Sequence, residues 1–303
     1  MVEMMRNNKE PAAFTLALGG GGVKCYTQIG VLRALERKGY RVHGLAGTSA
    51  GGIVATCYAA GYSPDEIQAF LEGLNLRQLL RRTFREGPGL FGLNRAKETL
   101  QKVLGGRTFA DLDIPLVLTS VDISTGQAHL LTEGSVLDAL MIAVAIPGLF
   151  PPTPRGAQLL LDGGVLHPIP VEAARTLAPK CPVVAVALFP PYDAWHRHPF
   201  PNILQSVPVL RHIARWRLVK AFSIYVQAMD ISQRMLAELR LEADKPDILI
   251  RPEVNHLGLF DPVNIAHIAR LGEEATESAL AQSWKKLGQT HVHELGRDGW
   301  KRV

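Results

Sequence analysis

The chain has 303 residues, 47% of them hydrophobic and 20% charged, which excludes a disordered protein and predicts a sizeable core. Its net charge of +5 is too mild to favour a nucleic-acid partner, and it suits a solvated surface or anionic lipid headgroups equally well. Three scattered cysteines exclude a disulfide framework, and without a signal-peptide core or a long apolar stretch we expect a soluble, cytoplasmic protein.

Short apolar runs alternate along the chain with segments of helical periodicity, which indicates an α/β fold with a central, mostly parallel sheet flanked by helices. We expect one catalytic domain over residues 14–290, between a flexible N-terminal segment 1–13 and a C-terminal tail 291–303. The predicted strands cover residues 14–18, 43–46, 115–121, 128–131, 158–161, 183–188 and 247–250.

Capping signals predict where two of the helices begin. Ser63 is followed by Glu66, and Ser135 is followed by Asp138, so each serine can accept a hydrogen bond from an N–H group of the first helical turn. Residues 190–202, rich in proline and aromatic residues, are expected to form an irregular excursion before a long helix over 204–241.

Four glycines, residues 19–22, follow the first predicted strand. A dinucleotide-binding G-x-G-x-x-G pattern fails, because its sixth position is Cys25 or Lys24, and the G-K-[ST] ending of a P-loop is also missing. A second use for glycines is to let successive backbone N–H groups converge on one point, as in an oxyanion hole. We expect Gly20, Gly21 and Gly22 to play this part.

The second predicted strand ends in Gly47-Thr48-Ser49-Ala50-Gly51, a G-x-S-x-G sequence set before a helix. This arrangement is typical of a nucleophile elbow, in which small residues allow a tight turn and the serine stands above the sheet. Ser49 is therefore the candidate nucleophile, close to the glycine run because the two parallel strands end side by side.

A serine nucleophile needs a neighbouring base, and the sequence offers two solutions. Asp162 ends a predicted strand and is followed by two glycines, which would let its carboxylate approach another backbone. Alternatively, Ser49, Asp162 and either His256 or His267 follow the chain order of a Ser-Asp-His hydrolase triad, although only one strand precedes the strand of Ser49.

Taken together, the motifs GGGGVK, GTSAG and DGG resemble those of the patatin-like phospholipase family, in the same order and over nearly all of residues 14–271. The resemblance implies a three-layer fold and a lipid acyl hydrolase that uses neither a metal nor another cofactor. It assigns Ser49 as the nucleophile and Asp162 as the base acting on it directly. The supporting residues it implies are Lys24, Gly47, Gly51 and Gly163. The family usually has glycine where this chain has Cys25.

The expected activity is therefore hydrolysis of carboxylic esters of phospholipids, lysophospholipids or related acyl esters through an acyl-enzyme. Acyl transfer, a Ser-His-Asp esterase and a non-catalytic lipid-binding protein are the alternatives. Residues 210–222, with Trp216 among arginines, predict either a membrane-surface helix or, as we favour, an ordinary amphipathic helix with a basic face. Peripheral contact with a membrane is thus an expectation, and the sequence does not fix an oligomeric state.

Overall fold

The computed structural model of the protein describes residues 13–83, 86–197 and 217–294. An eight-stranded sheet runs through this part of the chain in the order β5-β6-β3-β2-β1-β7-β8, with β4 also paired to β3. The strands are β1 (Ala13–Leu18), β2 (Arg41–Gly47), β3 (Leu116–Asp122), β4 (Gln127–Leu131), β5 (Thr153–Arg155), β6 (Gln158–Asp162), β7 (Val183–Val186) and β8 (Ile248–Ile250).

Strands β3, β2, β1, β7 and β8 are parallel, whereas β4, β6 and β5 add an antiparallel part beside β3. The described helices are α1 (Tyr26–Arg37), α2 (Ala50–Ala59), α3 (Pro64–Glu72), α4 (Leu76–Leu79), α5 (Asn94–Leu104), α6 (Val136–Ala143), α7 (Val171–Leu177), α8 (Arg217–Asp244) and α9 (Ile265–Glu294). The mostly parallel sheet predicted from the sequence is confirmed.

Helices cover both faces of the sheet because side chains alternate along each buried strand. Leu16 and Leu18 of β1 enter a large core shared with α1, α2, α3, α5, α6 and α9. Ala17, between them, enters a second core with α7 and α8, where small strand residues leave room for those helices. The result is the three-layer arrangement that the resemblance implied.

Both predicted helix caps are confirmed. The Ser63 hydroxyl accepts the Glu66 N–H at 3.3 Å, and the Glu66 carboxylate accepts the Ser63 N–H at 2.9 Å. The Ser135 hydroxyl accepts the Asp138 N–H at 3.2 Å. Each serine thus satisfies an N–H group that a helix start leaves without an intrahelical partner.

Other parts of the chain differ from the expectation. Helix α9 ends at Glu294, so the domain boundary expected at residue 290 does not coincide with the end of this helix. Residues Tyr192–Arg197 of the predicted irregular excursion form a 3-10 helix. The stretches 1–12 and 198–216, which include most of the predicted flexible segment and the start of the predicted long helix, lie outside the described residues.

None of the described helices combines the length and apolarity that crossing a membrane requires.

Candidate active site

Ser49 occupies a strained turn between β2 and α2. Its φ of 54° lies in the left-handed region, which residues with a side chain rarely adopt. The turn is also tight, because a Cβ on Gly47 would lie 2.5 Å from the Gly52 Cα, and a Cβ on Gly51 would lie 2.5 Å from the Gly19 carbonyl oxygen. Two positions of the predicted elbow therefore require glycine, and the turn holds Ser49 where it is 7% exposed.

The register of three strands brings Asp162 to the level of Ser49. Gly47 at the end of β2 pairs with Leu118 on β3, and Asp162 at the end of β6 pairs with Ser120, two residues further along β3. Ser49 also lies two residues beyond Gly47, so Ser49 and Asp162 stand on either side of β3. Asp162 ends a strand, as the sequence predicted, and β6 runs antiparallel to β3, so it meets Ser49 from the opposite direction.

Asp162 is a buried carboxyl group, 3% exposed. Burial raises its pKa to about 6, although the nearby Ser49 side chain and the hydrogen bond from the Gly164 N–H favour the charged form. The Gly164 N–H donates to its Oδ1 at 2.8 Å. Gly163 leaves the approach open, since a Cβ there would collide with Thr119. A carboxylate with raised proton affinity beside a serine hydroxyl is chemically suited to act as a base.

The glycine turn after β1 lies against Ser49, but one of its expected donors is already used. A Cβ on Gly20 would lie 3.0 Å from the Ser49 Cβ. The Gly20 N–H, however, donates to the Pro168 carbonyl at 3.0 Å, so the expectation of three oxyanion donors needs correction. Gly21 and Gly22 begin the 3-10 turn Gly22–Cys25, where N–H groups have no partner within the turn. These two remain the candidate donors.

Gly22 is required by its conformation. Its φ of 59° favours glycine, and a Cβ there would collide with the Leu259 carbonyl. The next N–H, that of Val23, donates to the same carbonyl at 3.1 Å. The loop carrying Leu259 therefore fixes the direction of the turn, a contact that no sequence motif indicated.

Lys24 is buried beside the turn, with 4% exposure. Burial lowers its pKa to about 8, helped by the positive charge of Arg234 and opposed by Asp230 and Asp261. Its Nζ lies 5.9 Å from the centroid of the Phe189 ring. Arg234 is itself fully buried and pairs with Asp230 at 2.9 Å. Lys24 thus brings a positive charge to the wall of the cavity that Ser49 and Asp162 also line.

Cys25, where the family usually has glycine, causes no backbone strain. Its φ of −59° is ordinary right-handed helix, which any residue adopts. Its side chain is 4% exposed, and burial raises the pKa of the thiol to about 12, so it is neutral at physiological pH. The replacement adds a small apolar group at a position whose backbone conformation any residue adopts.

Thr48 joins the parts of the site, a role that sequence analysis missed. Its hydroxyl lies 2.8 Å from the Thr119 hydroxyl on β3 and donates to the His167 carbonyl at 2.9 Å. It thereby connects the elbow with β3 and with the loop that follows Asp162. The residue stands inside the GTSAG motif, but nothing in its local pattern shows where its hydroxyl points.

Two cavities meet at Ser49. One, of about 140 Å³, is lined almost entirely by apolar side chains of α2 to α6 and their loops, and Ser49 stands in its wall with Gly22 and Cys25. The other, of about 180 Å³, is lined by Asp162, Lys24 and residues of α8. Ser49, Ile146 and Leu259 are common to both linings.

The histidines of the alternative triad lie elsewhere. His256 and His267 are exposed, and within the described residues no histidine lines either cavity. In the same part of the chain, no three His, Cys, Asp or Glu side chains are grouped to hold a metal ion.

The chain matches the family model described as patatin-like phospholipase over residues 16–175. It is 31% identical over 169 residues to an uncharacterized NTE family protein of Mycobacterium tuberculosis, covering 55% of this chain and 46% of that protein. It is 29% identical over 182 residues to patatin-like phospholipase domain-containing protein 7 of Mus musculus, covering 57% of this chain and 13% of that protein. The chain therefore spans about half, or less, of the length of these relatives.

Among solved structures, the fold is similar to that of VipD from Legionella pneumophila. The TM-score is 0.54 at 13% sequence identity, and the match covers 91% of this chain and 67% of that one. The likeness concerns the arrangement of the chain and extends well beyond the region matched by the family model.

Proposed function

The chain belongs to the patatin-like phospholipase family, and from this premise we propose that it is a serine acyl hydrolase acting on phospholipids, lysophospholipids or related acyl esters. One observation carries the proposal: Ser49, in a strained turn, stands beside the buried carboxyl group of Asp162 in the wall of one cavity, and the pKa of that group is raised to about 6. Strain and an unusual proton affinity in one place are typical of catalytic sites.

Acylation begins with attack of the Ser49 Oγ on the ester carbonyl carbon. Asp162 takes the hydroxyl proton as the Oγ–carbon bond forms, and the N–H groups of Gly21 and Gly22 donate to the developing oxyanion. Asp162 then returns the proton to the alkoxy oxygen as the carbon–oxygen bond of the ester breaks. The alcohol leaves, and the acyl group stays on Ser49.

Deacylation repeats these steps with water. Asp162 accepts a proton from the water that attacks the acyl-enzyme and gives it back to Ser49, releasing the carboxylic acid. An alcohol in place of water would give acyl transfer through the same acyl-enzyme. Analysis of products in the presence of an acceptor alcohol separates hydrolysis from transfer.

A non-catalytic lipid-binding protein is the alternative from another class. Binding alone needs neither a strained serine nor a carboxyl group buried beside it, and both cost stability. Their presence together argues for catalysis.

The test is labelling with a fluorophosphonate, together with turnover of a butyrate nitrophenyl ester. The wild-type protein should be labelled on Ser49 and should hydrolyse the ester, while Ser49→Ala should lose both properties and keep its circular dichroism spectrum. Ser120→Ala is the matched control, because Ser120 is a buried serine on β3 whose hydroxyl donates to the His129 carbonyl. Labelling that persists in Ser49→Ala would remove Ser49 from the mechanism.

Contact with a lipid surface is part of the same proposal. Ile224 and Tyr225 on α8 are 67% and 56% exposed, and Tyr225 lines the cavity that contains Asp162. Large apolar side chains at the mouth of a cavity are suited to enter the interface of a membrane. The exposure of these two side chains supports contact between the opening of the site and a lipid surface.

A further inference from the structure

The two cavities that meet at Ser49 have different chemistry. The smaller one has walls of aliphatic and aromatic side chains, among them Ile53, Phe70, Leu74, Leu80, Leu100 and Met141. The larger one contains three charged side chains, those of Asp162, Lys24 and Asp230, beside the amide of Gln233. An ester that reacts at Ser49 must place its acyl chain and its alcohol in different directions, so each cavity can take one of the two parts.

The path of the proton decides which part enters which cavity. In the proposed mechanism, the alkoxy oxygen of the ester receives its proton from Asp162, so this oxygen must come within hydrogen-bond distance of the Asp162 carboxyl group. Asp162 lines the larger cavity and does not belong to the lining of the smaller one. The alcohol part must therefore leave through the larger cavity.

We infer, on the basis of the proposed hydrolase activity, that the acyl chain lies in the apolar cavity, beside Ala96 and Thr99 on α5. Both residues line the apolar cavity and are half-buried, and none of the described residues of α3, α4 or α5 lines the larger cavity. These helices thus form the wall away from Asp162. Ala96 has a small side chain there, which leaves space for the end of a chain.

The cavity size sets the expected dependence on chain length. An apolar cavity of about 150 Å³ stays dry and holds a six-carbon ring such as benzene, and the apolar cavity here is of similar size, about 140 Å³. Each methylene that enters it should raise kcat/KM about fourfold, which corresponds to about 0.8 kcal/mol per buried CH₂. The gain should continue to chains of about six carbons and then become smaller, because a longer chain has to pass the side chains at the end of the cavity.

The experiment compares two substitutions of the same kind, one in each cavity. Ala96→Phe fills the apolar cavity, and Val226→Phe on α8 fills the cavity of Asp162. Nitrophenyl esters of two to sixteen carbons vary the acyl chain while the alcohol stays constant. In Ala96→Phe, the ratio of kcat/KM for the eight-carbon ester to that for the two-carbon ester should fall at least about tenfold, as expected from losing about two buried methylenes. In Val226→Phe, this ratio should stay within about twofold of the wild type.

Thr99→Leu is a second filling variant, should Ala96→Phe not fold. The Thr99 hydroxyl donates to the Arg95 carbonyl of its own helix, so its loss leaves no distant group without a partner. The same fall in the ratio is expected. If the ratio falls in Val226→Phe and not in the two α5 variants, the acyl chain lies in the other cavity and the inference is wrong. The inference is also wrong if none of the variants changes the ratio.

A readout without turnover separates this inference from the proposed function. Calorimetry measures binding of free fatty acids of four to twelve carbons to Ser49→Ala protein, with and without each filling substitution. Affinity should increase with chain length and should decrease on Ala96→Phe but not on Val226→Phe. If the wild-type protein is not labelled by the fluorophosphonate but fatty acids bind in this pattern, the hydrolase activity is rejected and the cavity assignment is retained. If Ala96→Phe does not change fatty-acid binding, the cavity assignment itself is rejected.

Discussion

Two buried ionisable groups in the cavity that Ser49 lines have pKa values displaced toward neutrality from opposite sides. Burial raises the pKa of Asp162 to about 6 and lowers that of Lys24 to about 8, in each case because the charged form loses hydration. Between these values both groups are ionised, so the site carries a basic carboxylate and a cation together. An exposed aspartate would be ionised too, but its pKa near about 3.9 would make it a weaker proton acceptor.

Activity should therefore depend on the ionisation of Asp162. We expect kcat/KM for a butyrate ester to rise with pH through about 6, since only the carboxylate can take the Ser49 proton. Asp162→Asn should lower the rate by a factor on the order of 100 to 10,000, the usual effect of losing base catalysis. The measurement is a pH–rate profile with parallel circular dichroism.

The stability of the same variant should change in the opposite direction. Because the folded-state pKa of Asp162 is raised, the folded protein binds more protons than the unfolded chain between about pH 4 and 6, and the contribution of Asp162 to stability is lost as pH rises through about 6. Asp162→Asn should thus melt no lower than the wild type at pH 7.

The control for the pH–rate profile is His267→Ala. This variant should keep the acidic limb of the profile, which is the rise of kcat/KM through about pH 6. Loss of that limb in the histidine variant would favour the Ser-His-Asp alternative.

At the scale of elements, the site depends on three segments that meet at Thr48. Its hydroxyl contacts Thr119 of β3 and the His167 carbonyl in the loop after β6, while its backbone belongs to the turn between β2 and α2. The segments that carry Ser49 and Asp162 are thereby joined by hydrogen bonds in a buried position, where lost bonds are costly.

Thr48→Val keeps the shape of the side chain and removes these hydrogen bonds. We expect a loss of about 1–3 kcal/mol in the free energy of unfolding, because the buried partners lose hydrogen bonds. We also expect kcat to decrease, since Ser49 and Asp162 are held less firmly. Denaturant titration and butyrate ester turnover measure the two effects.

Thr56→Val on α2 is the matched control. Its hydroxyl is buried without a hydrogen-bond partner among the described residues, so valine there should be neutral or stabilising. Equal effects of the two substitutions on stability and turnover would show that the Thr48 hydrogen bonds have no special part in the site.

Features of the site that depend on residues close together in the chain could be predicted from the sequence, whereas those that depend on distant residues could not. Ser49 and Asp162 were identifiable because the glycines required by their turns stand next to them in the chain. The Pro168 carbonyl that occupies the Gly20 N–H comes from a distant loop, so no local pattern indicated it. Strand β5 was missed because a run containing Pro154 argues against a strand, yet β5 lies at the edge of the sheet, where proline is tolerated.

At the scale of the whole molecule, its charge and the surface around the site bear on how it meets a substrate. The net charge of +5 attracts anionic surfaces over a distance limited by screening to about 8 Å at physiological ionic strength. Apolar insertion, by contrast, depends little on salt. Ile224 and Tyr225, exposed on α8 beside the cavity of Asp162, provide the groups that could insert.

Binding to vesicles should thus depend more on Ile224 than on another exposed isoleucine away from the site. Ile224→Asp should weaken co-sedimentation with vesicles containing anionic lipid at least about tenfold, because burying an isoleucine side chain contributes about 1.5–3 kcal/mol. Ile123→Asp is the control, since Ile123 is 56% exposed just after β3 and, unlike Tyr225, lines neither cavity. Added salt should reduce the binding of the wild type without abolishing it. If both variants bind as the wild type does, or if salt removes all binding, α8 does not insert and charge alone accounts for the contact.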